Sequence, residues 1–161
     1  MVKKLQWTLL LTLILGTGWN VGRWIRPPSG EISRGWIVRL PPSAERVGAG
    51  GVLLVLGEEC PFSLGAAKDL SQALEAHGLE GRPAHAVVVG GEPGKSRLEW
   101  VLAETWEVTL DIDGSWAERN GFLRGPMMAV LDADGRVEDL LAWNGRNGFV
   151  PFSPKEPVHL P

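Results

Sequence analysis

The sequence predicts an α/β fold, a mixed β-sheet flanked by helices, and three observations carry that prediction. Val52-Leu53-Leu54-Val55-Leu56 is a short continuous apolar run, as expected of a strand buried on both faces. Apolar positions then recur at helical spacing, at Ala66, Leu70, Ala73, Leu74 and His77, before Gly78 supplies a stop. Towards the C-terminus, Met127–Leu131 and Val137–Trp143 flank the turn Asp132-Ala133-Asp134-Gly135, the pattern of a β-hairpin. Strands alternating with helices and closed by a hairpin give a mixed sheet with helical cover.

The chain ahead of this body divides in two. Residues 1–26 contain an uncharged run of 18 residues, Leu5 to Gly22, near the lower limit for a membrane-spanning helix. Trp7, Trp19 and Trp24 lie towards its ends, where amphipathic rings favour the headgroup zone. Lys3 and Lys4, with the α-amino group, favour a cytoplasmic N-terminus. We read an uncleaved, single-pass N-terminal transmembrane helix in a bacterial cytoplasmic membrane, with the rest of the chain facing the periplasm or the cell exterior. A cleaved signal peptide, the competing reading, puts the remainder on the same side. Residues 27–50 read as a linker and a first strand. Pro27-Pro28-Ser29-Gly30 and Pro41-Pro42-Ser43 bracket the β-prone stretch Gly35–Leu40, and Gly48-Ala49-Gly50-Gly51 ends the irregular region.

The body is expected over residues 51–145. After the first helix, Ala84–Val89 is a second strand, and Leu98, Val101, Leu102 and Thr105 mark a second amphipathic helix. Val108–Ile112 is a short strand and Ser115–Asn120 a helical turn, after which the hairpin follows. Residues 146–161 carry prolines and no helical period, and read as an irregular tail.

Charge and composition narrow the function. Of 161 residues, 44% are hydrophobic and 22% charged, which excludes a disordered chain. The formal charge of −3 is uneven: residues 1–26 hold Lys3, Lys4, Arg23 and Arg26 and no acid, so residues 27–161 carry 12 basic against 19 acidic side chains, a net of −7. So acidic a body is unsuited to phosphate backbones, and no nucleic-acid partner is expected. Cys60 is the single cysteine, which excludes an intramolecular disulfide and a cysteine-built zinc site. His77, His85 and His159 show no metal-ligand spacing, so neither a metal nor a cofactor is expected. The pairs Asp111/Asp113 and Asp132/Asp134, each followed by glycine, mark turns rather than acid–base chemistry.

Cys60 is the residue best placed for chemistry. It stands between a buried strand and a helix, and the spacing predicts that it occupies the helix's first turn, where orphan N–H groups favour a thiolate. Pro61 suits the first helical position, and Ser63 is placed to offer its hydroxyl to the sulfur. Glu58 and Glu59 oppose the thiolate by adding negative charge nearby. A rival motif, Gly90…Gly94-Lys95-Ser96 after a strand, looks like a phosphate-binding loop. It has three residues where four are needed, and one of them, Pro93, has no N–H to donate.

Val52–Leu74, carrying Cys60-Pro61-Phe62-Ser63, resembles the active-site strand and helix of thioredoxin-like proteins. It is most similar to the membrane-anchored extracytoplasmic thiol–disulfide oxidoreductases of the redoxin group, which includes cytochrome c maturation factors. Ala86–Glu92, a helix, Val108–Asp111 and the stretch Arg124–Val137, with Gly125-Pro126 and Asp132-Ala133-Asp134-Gly135, follow that group's order, so the resemblance spans residues 35–145. It implies a thioredoxin-like mixed sheet flanked by helices. It further implies that Cys60 is the nucleophile within a motif completed by Pro61 and Ser63. Pro126 would be a cis-proline facing it, Gly125 and Phe62 would meet the substrate, and Glu92 would be an acid near the thiol. The implied partners are protein thiols and disulfides or low-molecular-weight thiols, and the implied activity is thiol–disulfide exchange through one cysteine, in cytochrome c or respiratory-protein assembly.

The sequence departs from the group's pattern at several points. Ser63 replaces the second cysteine, Glu59 stands where Trp is usual, and Gly125 stands where Thr or Val is common. Leu54 takes the place of a buried Asp, and no C-terminal helix follows the hairpin. Two alternatives follow. One is a redox-inactive thioredoxin-fold module for binding or assembly. The other is a one-cysteine peroxidase, although Gly57 stands where those enzymes usually place Thr or Ser.

Overall fold

The computed structural model describes residues 32–122 and 125–152. Three parallel strands, β1 (Val52–Gly57), β2 (Ala84–Val89) and β3 (Glu107–Asp111), join three antiparallel ones, β4 (Met127–Leu131), β5 (Val137–Trp143) and β6 (Phe149–Pro151). They form one mixed sheet in the order β3-β2-β1-β4-β5-β6, with β1 antiparallel to β4. The helices are α1 (Ser63–Lys68), α2 (Leu70–Ala76), α3 (Arg97–Leu102) and α4 (Ser115–Arg119). The transmembrane helix expected over residues 1–26 lies outside the described residues. Among the described residues, no helix is long and apolar enough to cross a membrane.

β1 holds the two layers together. Val52, Leu54 and Leu56 pack with Ala66, Leu70, Ala73, Leu98 and Leu102 beneath α1, α2 and α3. Leu53 and Val55 face the other way, against Ile32, Val38, Val47, Ala117 and Phe122. A strand covered on both sides has no solvent face to mark with polar residues, hence its unbroken apolar run. The expected first helix forms as two short segments meeting at Asp69, and it stops at Gly78 (φ +64°) as the sequence predicts.

Several expected elements form differently. Gly35–Leu40 contributes one isolated bridge, Ile37 to Arg136, instead of a strand. The stretch after it, expected to be irregular, is a 3-10 helix over Pro42–Gly48, started by a proline whose fixed φ suits a helical turn. The tail contains β6, whose Pro151 lies opposite Leu141 on the sheet's outermost strand. A proline, lacking an N–H, is tolerated at such an edge, and its presence masked the strand in the sequence. His77 fastens α2 to this strand, its Nε2 lying 2.9 Å from the Phe149 carbonyl. With Ile32, Val38, Val47 and Phe149 buried, the packed body reaches past 51–145 at both ends. In α3, Leu98 and Leu102 are buried, whereas Val101 faces solvent and Thr105 lies beyond the helix.

The aspartate pairs are spent on turns, as their glycine neighbours indicate. Asp132 Oδ1 accepts from the amides of Asp134 and Arg136 within the hairpin. Asp111 accepts from the amides of Trp116 and Ala117 and so caps α4.

His85, fully buried on β2, bonds Thr109 Oγ1 through Nε2 at 2.8 Å, and that hydroxyl also meets Ser43 Oγ of the 3-10 helix. Its Nδ1 has no hydrogen-bond partner among the described residues, and the Glu107 carboxylate is 3.9 Å away. Burial pushes the His85 pKa below its ordinary value, with Glu107 opposing. The unfolded chain takes up this proton near its ordinary pKa of about 6.5, while the folded protein resists it. Stability from this group is therefore complete above that pH and is lost as pH falls below it. The urea midpoint is expected to drop between about pH 7.5 and pH 5.5, and His85→Gln to remove part of the drop. Equal slopes in the two proteins would show that His85 does not carry it.

Candidate functional site

The carboxyl ends of β1 and β2, the start of β4 and the end of β5 lie at one edge of the sheet, as their registers require. Cys60 is delivered to this edge by two successive tight turns. Its N–H donates to the Gly57 carbonyl at 3.1 Å, and its own carbonyl accepts from Ser63 N at 3.1 Å. The thiol is free and partly exposed.

The helix begins later than the sequence predicts. The first helical i→i+4 bond runs from Ala66 N to the Phe62 carbonyl, so α1 starts at Ser63 with Phe62 as its cap. Cys60 and Pro61 belong to the preceding turn. Cys60 is therefore not in the helix's first turn and Pro61 is not its first residue. Nor does Ser63 serve the sulfur: its side chain is buried, and its hydroxyl has no hydrogen-bond partner among the described residues. Facing inward from α1, it lies in the same layer as Ala66 and Ala67.

Opposite Cys60 stands the loop entering β4. A Cβ placed on Gly125 would lie 3.3 Å from Cys60 Sγ, so the absence of a side chain there leaves the sulfur open to that backbone edge. Pro126, next in the chain, is buried, and its carbonyl accepts from Trp143 N at 3.0 Å. The cis-proline implied by the resemblance is not present: no cis peptide bond occurs among the described residues, and the Gly125–Pro126 bond is trans. Proximity to the thiol thus comes from strand pairing and the missing Gly125 side chain.

Phe62 is partly exposed, and its ring lies 5.9 Å from that of Trp143, tilted by 43°. Trp143 was not singled out in the sequence. Its indole N–H donates to Asp69 Oδ2 at 3.0 Å, and its benzo edge presses on Gly65, where a Cβ would come within 2.9 Å of it. A glycine inside a helical pattern usually has a packing reason, and Gly65 is the one signal in the sequence that pointed to this contact.

Glu58 is engaged elsewhere. Its carboxylate accepts from Ser96 Oγ and from Arg97 N at 2.9 Å, so it sits at the start of α3. There the helix's unpaired N–H groups absorb its charge. The Ser96 hydroxyl that closes the phosphate-loop-like stretch and the Arg97 amide after it are thus taken by this side chain. Glu92, expected as an acid near the thiol, is exposed on the loop after β2 and pairs with Lys95 at 2.6 Å. The structure thus brings together Cys60, Phe62, Gly125 and Pro126, adds Trp143, Asp69 and Gly65, and leaves Glu92 in solvent.

The sequence matches no protein-family model and no curated protein. Among solved structures, it is similar to a Chlorobium tepidum protein assigned as the thiol:disulfide interchange protein DsbE. The identity is 18% over 77% of this chain and 89% of that one, with a TM-score of 0.53. It is also similar to a secreted Mycobacterium tuberculosis disulfide oxidoreductase homologous to DsbE of E. coli, with 20% identity over 66% of this chain and 72% of that one, and a TM-score of 0.45. The first likeness shows the fold: the chain has a thioredoxin-like fold, a mixed sheet flanked by helices.

Gly125 has a φ outside the left-handed region, so a side chain there tests sulfur access without backbone strain. Gly125→Val is expected to slow alkylation of Cys60 by iodoacetamide on the order of tenfold, by crowding the approach of the reagent. An unchanged rate, followed by mass spectrometry, would show that this edge does not border the thiol in solution.

Proposed function

We propose that this chain is a membrane-tethered, extracytoplasmic thioredoxin-like protein that exchanges thiols and disulfides through Cys60 alone. The observation that carries the reading is a partly exposed, free thiol at the end of a buried strand, facing a backbone edge cleared by Gly125. The thiolate of Cys60 attacks one sulfur of a partner's disulfide. A new bond forms between Cys60 Sγ and that sulfur, the partner's S–S bond breaks, and the second partner sulfur leaves as a thiolate. Cys60 is oxidised and the departing sulfur reduced. With one cysteine in 161 residues, the adduct is released only when an external thiol attacks it.

The partners proposed are protein disulfides and thiols, or low-molecular-weight thiols, met outside the cytoplasm. The apolar run of residues 5–22, behind Lys3 and Lys4, supports anchoring in a bacterial cytoplasmic membrane with the domain facing the periplasm or exterior. The fold shared with a protein assigned as a thiol:disulfide interchange protein supports the chemistry. Resemblance to the cytochrome c maturation group supports a place in cytochrome c or respiratory-protein assembly.

Trapping tests the reaction. Non-reducing gels of the full chain in membranes are expected to show covalent adducts that reductant removes and that Cys60→Ser lacks. Ser63→Cys puts a thiol into a buried slot whose hydroxyl is unpartnered, an exchange that apolar surroundings tolerate. It is expected to shorten the life of those adducts, because the added thiol can attack Cys60 Sγ, form an internal disulfide and expel the partner's sulfur as a thiolate. A wild-type Cys60 that yields no adduct would indicate a redox-silent binding module.

A further inference from the structure

Trp143 touches both segments that flank the Cys60 sulfur. Its main-chain N–H donates to the carbonyl of Pro126, the residue after Gly125. Its side chain, on the other side, lies on the Cys60-bearing segment: against Phe62, against Gly65, and through its indole N–H to Asp69. Asp69 stands where α1 meets α2, and 74 residues separate it from Trp143 in the chain. Three independent contacts therefore fix one indole on the helix, and a fourth fixes its backbone to the strand that carries the opposite wall.

Disulfide exchange is demanding in geometry, because three sulfurs must line up as one bond forms and the other breaks. Alkylation by a small reagent asks only for an exposed, nucleophilic thiol. A residue that orients the two segments flanking the sulfur without filling the approach therefore acts on exchange and leaves alkylation alone, whereas a side chain added at position 125 crowds both reactions. We infer that Trp143, fastened by Asp69 and seated on Gly65, is a positioning residue for exchange at Cys60, holding the sulfur and the Gly125 edge at the spacing that aligns a partner's disulfide. The inference rests on the single-thiol exchange proposed above. Phe at this position would keep an aromatic ring on Gly65 but have no N–H for Asp69, so the indole itself matters.

The test compares two reactions of Cys60 in the same protein, alkylation by iodoacetamide and mixed-disulfide formation with oxidised glutathione, both followed by intact mass. Trp143→Phe is expected to slow exchange by about tenfold with alkylation unchanged. Asp69→Leu, which leaves the indole in place but unfastened, should reproduce that pattern, and Asp69→Asn, which retains an oxygen acceptor, should recover most of the loss. Circular dichroism checks folding, and Asp69→Leu carries the test if Trp143→Phe does not fold. Parallel loss of both reactions, or loss of neither, overturns the positioning role. Should the wild-type protein alkylate yet form no glutathione adduct, the exchange reading itself fails. Exchange by wild type and Trp143→Phe at the same rate defeats only the inference.

Discussion

The site depends on the burial of β1 from both sides. Each of Val52 to Leu56 is buried, the alternate residues being shared between the helical layer and the layer built from residues 32–47, α4 and Phe122. A buried strand ends where its cover ends, so the chain must turn at Gly57 and emerge at the sheet's edge. Removing apolar surface of this size from water contributes about 1.5–3 kcal/mol for each large side chain. Summed over the five buried residues of the strand, that exceeds what any single polar contact near Cys60 supplies, and it explains why the cysteine's address is set by packing and not by its own bonds. The parallel neighbour β2 and the antiparallel neighbour β4 are in register with the same strand. They therefore bring the Gly90–Ser96 loop and Gly125–Pro126 to that edge as well.

Polar contacts then refine what packing has placed. On one side Glu58, two residues before the cysteine, grips the start of α3 through Ser96 and Arg97. On the other, Trp143 ties Asp69 of the helical layer to the strand bearing Pro126. Both attachments leave the sulfur itself untouched. The arrangement also changes the electrostatics expected from the sequence. Glu58 spends its charge on the Ser96 hydroxyl and the Arg97 amide, and Cys60 lies two residues before the cap of α1, a helix six residues long. Openness at Gly125 therefore stands as the main structural qualification of Cys60.

What the sequence disclosed was local. The apolar run of β1, the strand at Ala84–Val89, the hairpin and the turn-marking aspartates Asp132 and Asp111 all depend on residues within a few positions of one another, and they form as expected. Three kinds of feature escaped. The helix start was misplaced because Pro61 suits a first helical position in isolation, while two consecutive turns from Gly57 are what the emerging strand requires. β6 escaped because three residues with a proline carry no strand signature until an edge is available to pair with. The Trp143–Asp69 bond escaped because a separation of 74 residues leaves no local pattern, and Gly65 hints only that something lies close to the helix. Ile32, Val38 and Val47 sit in a stretch whose prolines and glycines suggest a linker, yet they help cover one sheet face.

A single sulfur changes what alignment is for. Where two thiols share a turn, a badly aligned capture is undone from within, because the second thiol is always nearby at a high effective concentration. On the proposed reading, Ser63 occupies the inward position and has no thiol to give, so every capture would persist until an outside thiol arrives. Selection of the partner must then occur before the bond forms, at the approach to Cys60. An approach cleared by one glycine and held by one fastened indole is suited to that task. Tethering acts in the same direction: on the proposed reading, residues 1–26 confine the domain to the membrane surface and raise the local concentration of the partners it is meant to meet. Slow release and restricted encounter together favour a protein that holds a partner over one that turns over many.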